Sequence, residues 1–119
     1  MSEGFSQKKQ NNVSVKPDSL ASDSIKYELI VSDPGFESYL VTKPSMNFYS
    51  KEYYESRNRI FVTEWNYRCD HPSLFGNLYE THLDYNSIVD YGIELNYRLY
   101  NYFRFFEETN KLKLTDQFR

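Results

Sequence analysis

The chain has little of several features that identify common classes of protein. Cys69 is the one cysteine among its 119 residues, so no internal disulfide can form. Its four glycines are isolated, which excludes a glycine-rich phosphate loop. No apolar run approaches the roughly 18 residues that a transmembrane helix needs. Residues 1–24 contain no apolar run of the kind found in signal peptides, so no signal peptide is expected in the chain as it stands.

A basic surface is also missing. The formal net charge is -3 and the isoelectric point is about 5.4. Proteins that bind nucleic acids usually carry a basic patch, because the phosphate backbone dominates their affinity. The same acidic balance disfavours adhesion to anionic lipids by charge alone. We therefore expect neither a nucleic-acid partner nor a lipid surface bound through charge.

Aromatic residues, by contrast, are abundant. The chain has 12 Tyr, 9 Phe and one Trp, and most of them lie between residues 48 and 106. A tyrosine ring packs like a hydrophobic side chain, while its hydroxyl needs water or a hydrogen-bond partner. The mean hydropathy of -0.75 penalises Tyr and therefore understates the capacity of this chain to form a core. The composition predicts one small folded domain with amphipathic surfaces.

Two regions differ in composition. Residues 1–24 are rich in Ser, Gln, Asn and Lys, so we predict a disordered tail that can be removed with little loss of stability. Residues 25–115 are predicted to form the aromatic-rich domain. Apolar and polar residues alternate over 25–31 and again over 79–85, the two-residue period of a strand. We expect these two segments to pair, and residues 111–114 are a candidate edge strand.

Two longer segments have the period of amphipathic helices. A helix is predicted from Lys51 to about Cys69, and another from about Ile88 to Thr109. Asp33 and Pro34 suit the start of a shorter helix before them. The expected core face of the first long helix is Tyr54, Phe61, Trp65 and Cys69. The expected core face of the second is Ile88, Tyr91, Leu95, Leu99, Tyr102 and Phe106. The predicted fold is α+β: a short antiparallel sheet packed on two long amphipathic helices.

Several motifs resemble an uncharacterised family of small Bacteroidota proteins, classed as a domain of unknown function. The resemblance covers about residues 25–109 and rests on segments 27–36, 57–59, 64–66, 77–80 and 90–103, which include DPGF, EWN and DYGIELNYRLYNYF. It implies a secretion or lipoprotein signal and hence a cell-envelope location, periplasmic or outer-membrane-associated. This chain shows no such signal, so a cytoplasmic location is the alternative. The resemblance supplies no catalytic residue.

One group of polar residues has the pattern of a metal site. Glu80, His82 and Asp84 alternate within a predicted strand, so their side chains would project from the same face. An imidazole and two carboxylates suit a hard or borderline divalent ion. Asp70 and His71 would join them only if the fold brings their loop close. An ordinary solvated strand face is the commoner outcome of this pattern.

A thiol nucleophile is a second chemical hypothesis. Cys69 with His71 or His82 would supply a nucleophile and a general base. Cys69 lies on the expected core face, however, where cysteine usually behaves as a small hydrophobic residue. We therefore assign no catalytic residue and expect no cofactor.

A second stripe on the last helix is the strongest candidate binding surface. Ile93, Tyr97, Tyr100 and Arg104 point away from the Leu95 stripe. A helix that is apolar on two sides is either sandwiched within its domain, which we favour, or exposed to a partner. Tyr and Arg are enriched at binding hot spots.

The leading functional hypothesis is a non-enzymatic, envelope-associated interaction module with a protein partner. The alternatives are a small metal-dependent or thiol enzyme and, because aromatic rings also stack on sugars, a glycan-binding module.

Overall fold

A two-stranded sheet and two long helices form the framework of the fold, so the predicted α+β class is confirmed. The computed structural model of the chain describes residues 13–18, 26–79 and 81–118. A 3₁₀ helix at Met46–Phe48 lies between the first two α-helices. The remaining elements, in chain order, are β1 (Val13–Asp18), β2 (Lys26–Val31), α1 (Phe36–Leu40), α2 (Lys51–Cys69), α3 (Pro72–Phe75) and α4 (Gly92–Asn110).

The strands β1 and β2 pair antiparallel, with Val15 opposite Leu29. These two residues are buried, whereas Lys16 and Glu28, the next pair along the ladder, are exposed. One face of the sheet therefore packs on the core and the other faces solvent, as the two-residue period predicts. The predicted strand over 25–31 is confirmed for Lys26–Val31, and residue 25 lies outside the described residues.

The partner of this strand differs from the prediction. It is Val13–Asp18, so the prediction of a disordered tail is wrong for these six residues. Val13 and Val15 are only 1% and 7% exposed, because the antiparallel pairing places both against the core. Two valines in a polar segment give a weak sequence signal, and their burial depends on β2. The other residues of the predicted tail, 1–12 and 19–24, lie outside the described residues.

The predicted strands over 79–85 and 111–114 are both wrong as far as the structure describes them. Residues 81–86 have no regular secondary structure, although Tyr79 and Leu83 are buried. Their alternation arises because this irregular segment inserts two side chains into the core. Leu114 is buried as well, but its N–H donates to Glu107 Oε2 at 2.8 Å instead of to a strand.

Helix α2 has the bounds that the sequence predicts. The Ser50 hydroxyl accepts a hydrogen bond from the N–H of Tyr53 at 3.1 Å, which satisfies a free donor of the first turn. Tyr54, Phe61 and Trp65 are all buried, so the predicted core face is confirmed for them. Cys69, the last residue of the helix, is only half-buried.

Helix α4 begins at Gly92, later than predicted. Ile88 is 87% exposed, so its placement in the core stripe is wrong. The Asn86 side chain accepts from the N–H of Ile88 at 3.0 Å and holds a turn there. Gly92 then adopts a φ of +88°, which a residue with a Cβ rarely adopts. From Leu95 onward the stripe is confirmed, since Leu95, Leu99, Tyr102 and Phe106 are buried.

Asp33 does not cap the first helix as predicted. Helix α1 follows Gly35, which has a φ of +89° and is its N-terminal flanking residue. The Asp33 carboxylate instead accepts a hydrogen bond from the Tyr102 hydroxyl at 2.6 Å. The residue suited to a local cap therefore makes a tertiary contact that ties the start of α1 to α4.

Helices α2 and α4 pack along most of their length. Ring contacts join Tyr54 to Tyr97, with centroids 5.6 Å apart, and Phe61 to Phe103, with centroids 5.0 Å apart. A third pair, Trp65 and Phe106, lies at 4.9 Å. These contacts advance in the same direction along both helices, so α2 and α4 run parallel. Residues 70–91 must therefore return from the end of α2 to the start of α4. Within the described residues, no helix is long and apolar enough to cross a membrane.

A buried polar pair interrupts this aromatic seam. The Asn58 amide donates to the backbone carbonyl and to the Oδ1 of Asn96, both at 3.0 Å. Tyr85, from the returning segment, donates its hydroxyl to the same Oδ1 at 2.5 Å. Buried amide N–H groups need such acceptors, and this longitudinal register of the helices provides them, while the Asn58 Oδ1 makes no hydrogen bond within the described residues.

Loss of β1 should destabilise the protein. We expect a chain beginning at Ser19 to melt at least ~5 °C below a chain beginning at Asn12. Burying a valine side chain contributes about 1.5–3 kcal/mol, and 1 kcal/mol corresponds to roughly 4–8 °C for a small domain. Thermal denaturation followed by circular dichroism measures the difference, and equal midpoints would contradict the structural role of Val13 and Val15.

The core face of the long helices can be tested by truncating single side chains. We expect Trp65→Ala to cost about 3–5 kcal/mol and Leu99→Ala about 2–5 kcal/mol, because both remove buried side chains from the helix interface. Ile88→Ala serves as the control and should change stability by less than ~0.5 kcal/mol. Urea denaturation gives all three values. A cost below ~1 kcal/mol for either core variant would show that the interface is not packed as described.

Candidate functional site

The described residues form a cleft lined by six tyrosines. It has a volume of about 250 Å³ and lies where α1, the connection between α1 and α2 and the first turn of α2 meet α4. Two cationic residues, Lys43 and Arg104, also line it. We call this site the tyrosine cleft, and its tyrosines are Tyr39, Tyr49, Tyr53, Tyr54, Tyr97 and Tyr100.

Hydrogen bonds fix several of these rings. The Tyr97 hydroxyl donates to the Pro44 carbonyl at 2.8 Å, and the Tyr54 hydroxyl donates to the Met46 carbonyl at 3.0 Å. Tyr39 donates to Glu108 Oε2 at 3.0 Å. These bonds attach the segment between α1 and α2 to the long helices. The walls of the cleft are therefore held in place by the folded domain.

Electrostatic surroundings keep the phenols protonated. Burial, followed by a hydrogen bond to Tyr100, raises the pKa of Tyr53 above its usual value. Burial and then the Glu108 carboxylate raise the pKa of Tyr39. A hydrogen bond to Tyr53 raises the pKa of Tyr49. At neutral pH these hydroxyls are hydrogen-bond donors and carry no charge.

The middle of the cleft wall is a stack of rings. Tyr49 lies flat on Tyr53, with centroids 3.9 Å apart and planes 4° from parallel. The guanidinium of Arg57 lies over the Tyr53 ring at 3.6 Å, so both faces of Tyr53 are occupied. Beside this stack, Tyr49 and Phe48 are 36% and 63% exposed. The accessible aromatic surface is therefore at the rim.

The cleft lining carries one carboxylate, Glu108, beside its two cationic residues. Arg104 forms an ion pair with Glu107 at 3.2 Å and lies 5.7 Å from the Tyr100 ring centroid. The Lys43 ammonium lies 4.6 Å from the Tyr39 ring centroid and makes no ion pair with a carboxylate in the described part of the chain. Lys43 thus offers a cation to a ligand without breaking an existing ion pair.

The structure separates the predicted binding residues. Tyr97, Tyr100 and Arg104 line the tyrosine cleft, whereas Ile93 lines a larger groove of about 690 Å³ between β2 and the start of α4. Tyr97 and Tyr100 are half-buried, and Tyr100 packs on Tyr53, with centroids 5.9 Å apart. Helix α4 also contacts the sheet, α1 and α2, so the second stripe is partly sandwiched and partly a cleft wall.

Sequence reasoning missed the other side of this cleft. Tyr39 and Lys43 belong to the region of α1, and Tyr49 precedes α2, so their convergence with α4 depends on long-range packing. The clustering of Tyr49, Tyr53 and Tyr54 around the start of a helix was a visible signal. It did not show which element would lie opposite.

The structure groups the predicted metal ligand His82 with Cys69 and Asp70. His82 Nε2 lies 2.7 Å from Asp70 Oδ1, and the ligand atoms of Cys69, Asp70 and His82 all lie within 4.8 Å of one another. Asp84 is exposed and is not a member of this group, and Glu80 lies outside the described residues. The loop after α2 does come close to His82, as the metal-site hypothesis required, and Asp70 makes the contact. His71 instead places Nδ1 at 2.7 Å from the Tyr67 carbonyl.

The electrostatics of Cys69 do not favour a thiol nucleophile. Burial, and then the neighbouring Asp70 carboxylate, raise the pKa of this thiol. A nucleophilic cysteine needs the opposite shift, since the thiolate is the reactive form. The raised pKa therefore favours a structural cysteine over a catalytic one, and an ion bound to the sulfur would have to displace the thiol proton.

Comparison with known proteins gives a family and no activity. The chain matches the Family of unknown function (DUF6146) over residues 2–118. No curated protein and no solved structure matches it. Because the family match spans nearly the whole chain, it includes both long helices, the tyrosine cleft and the cluster around His82. The chain therefore belongs to the Family of unknown function DUF6146.

Proposed function

We propose that this protein is a non-enzymatic interaction module that binds an acidic segment of a partner protein in the tyrosine cleft. The observation that carries the proposal is the convergence of Tyr97, Tyr100 and Arg104 with three other structural elements around one concave site. Tyrosine and arginine are enriched at binding hot spots, because they combine apolar area with hydrogen bonding.

Preorganisation supports the same proposal. The hydroxyls of Tyr39, Tyr54 and Tyr97 are bonded to the protein's own acceptors, so few rotamers are lost when a ligand binds. Each side chain ordered on binding costs about 0.5–1.5 kcal/mol, and a rigid cleft avoids much of this cost. At the rim, Phe48 and Tyr49 offer exposed apolar surface beside the cleft.

Charge complementarity indicates the chemistry of the partner segment. Lys43 has no carboxylate partner in the described part of the chain, so its ammonium is available as a donor, whereas the Tyr39, Tyr54 and Tyr97 hydroxyls already donate to acceptors of the protein. A carboxylate on the ligand would accept from Lys43, whereas a basic segment would meet Lys43 and Arg104 with like charge. We therefore propose Asp or Glu side chains flanked by apolar residues as the recognised pattern.

The alternatives have less support from the geometry. Sugar binding uses open aromatic faces, but Tyr49 and Arg57 cover the two faces of Tyr53, so the exposed aromatic surface lies at the rim, on Phe48 and Tyr49, and not inside the cleft. A thiol enzyme would need a lowered Cys69 pKa, and the shift is upward. The proposed location remains the cell envelope, in keeping with the motif resemblance over residues 25–109, and fractionation of native cells tests it.

Selection from a random peptide library on the immobilised protein tests the ligand class. We expect enriched peptides to carry Asp or Glu next to apolar residues. Fluorescence anisotropy on a selected peptide should show that Lys43→Glu and Tyr49→Ala each weaken binding by roughly 30-fold, the equivalent of a hot-spot loss of about 2 kcal/mol.

Matched controls replace the same residue types elsewhere. Lys113→Glu and Tyr67→Ala change exposed residues that do not line the cleft, and they should leave the dissociation constant within about twofold. The proposal fails if selected peptides bind the cleft variants as tightly as the wild type. It also fails if the enriched peptides are basic, or if a glycan array gives ligands that compete at the cleft while the peptide library gives none.

The rim and the wall of the cleft should differ in their effect on stability. Tyr100→Ala removes a ring packed on Tyr54 and Phe61, so we expect a loss of at least ~2 kcal/mol in urea denaturation. Tyr49→Ala removes an exposed ring that contacts Phe48, Tyr53 and Tyr54 from the rim, and it should cost less than ~1 kcal/mol. Similar costs for both variants would mean that the cleft wall is not part of the core.

A further inference from the structure

We propose that Cys69, Asp70 and His82 form a binding site for a borderline divalent metal ion of the Zn²⁺ class. Their ligand atoms lie within 4.8 Å of one another. The site is separate from the tyrosine cleft, because it lies at the opposite end of α2.

The ligand set matches the chemistry of zinc. Zinc binds cysteine sulfur, histidine nitrogen and carboxylate oxygen, and it favours four-coordinate, tetrahedral geometry. Bond lengths of about 2.0–2.3 Å place tetrahedral donors roughly 3.3–3.6 Å apart. The observed cluster needs only small side-chain rotations to reach that spacing. Three protein ligands would leave one position for water.

The pair formed by Asp70 and His82 is where an ion would enter. Asp70 Oδ1 and His82 Nε2 are 2.7 Å apart, a hydrogen-bond distance, so one proton lies between them and both atoms face the same space. An ion between them would replace the shared proton and lengthen this contact by less than about 1 Å. Their side chains are 58% and 55% exposed, which gives them room to move and gives the ion access from solvent.

The loop that carries His82 is held against α2 on both sides of that residue. Trp65 Nε1 donates to the Thr81 carbonyl at 3.0 Å. Asn66 bonds Leu83 twice: its Nδ2 donates to the Leu83 carbonyl at 3.1 Å, and its Oδ1 accepts from the Leu83 N–H at 2.8 Å.

The backbones of the other two ligands are also held in place, because Cys69 ends α2 and Asp70 is its C-terminal flanking residue. Trp65 and Asn66 hold the loop of His82, and Cys69 lies three residues after Asn66 in the same helix. Helix α2 therefore positions His82 relative to Cys69 and Asp70. A site preorganised in this way loses little entropy on binding an ion.

Metal titration of the purified full chain tests the site. We expect one equivalent of Zn²⁺ to bind in competition with a chromophoric chelator. Asp70→Asn and His82→Gln should each weaken binding by at least ~10-fold. His71→Gln and Asp84→Asn serve as controls. They make the same chemical changes as the two site variants, at residues outside the proposed site, and they should bind Zn²⁺ as the wild type does.

Substitution with Co²⁺ tests directly whether the Cys69 sulfur binds the ion. A cysteine that only packs in the fold would not change the cobalt spectrum. A thiolate ligand produces a near-ultraviolet charge-transfer band on cobalt, and Cys69→Ser should abolish this band while circular dichroism shows an unchanged fold. The proposal is overturned if no stoichiometric binding occurs or if the cobalt complex lacks a thiolate band. It is also overturned if His71→Gln weakens binding as much as His82→Gln does.

Discussion

The packing of α2 on α4 is the contact on which the rest of the structure depends. Phe61, Trp65, Leu99 and Phe103 form its apolar part, and the Asn58–Asn96 pair specifies its register. A sliding of one helix by a single turn would leave the Asn58 amide and the Tyr85 hydroxyl without their acceptor inside the core. The seam is therefore both the main source of apolar burial and the reason for a unique arrangement.

Parallel packing of these helices also determines what the intervening chain must do. Residues 70–91 have to return from the end of α2 to the start of α4, and their path includes α3 and the irregular segment 81–86, with buried side chains at Tyr79 and Leu83. Hydrogen bonds from Trp65 and Asn66 attach this segment to α2. The position of His82 beside Asp70 is a consequence of that attachment.

The two candidate sites lie at opposite ends of α2. Tyr53 and Tyr54, in the first turn, contribute to the tyrosine cleft, and Cys69 is the last residue of the helix. A helix of 19 residues spans about 28 Å, so a ligand in one site does not touch the other. A metal ion would brace the returning segment, and the cleft depends on the segment between α1 and α2. The two sites can therefore be disrupted independently.

The sequence by itself determined the local features of this protein. The helical spacing of Tyr54, Phe61 and Trp65 was enough to predict α2, because helical periodicity acts within a few turns. The strand over residues 26–31 was equally clear from its alternation. Only the tertiary structure decided the pairing of Val13–Asp18 with that strand, the exposure of Ile88 and the irregular path of residues 81–86. Both candidate sites belong to the same category, because distant segments bring Tyr39 and Tyr97 to one cleft and Asp70 to His82. Periodicity along one element carries no information about which element will lie opposite.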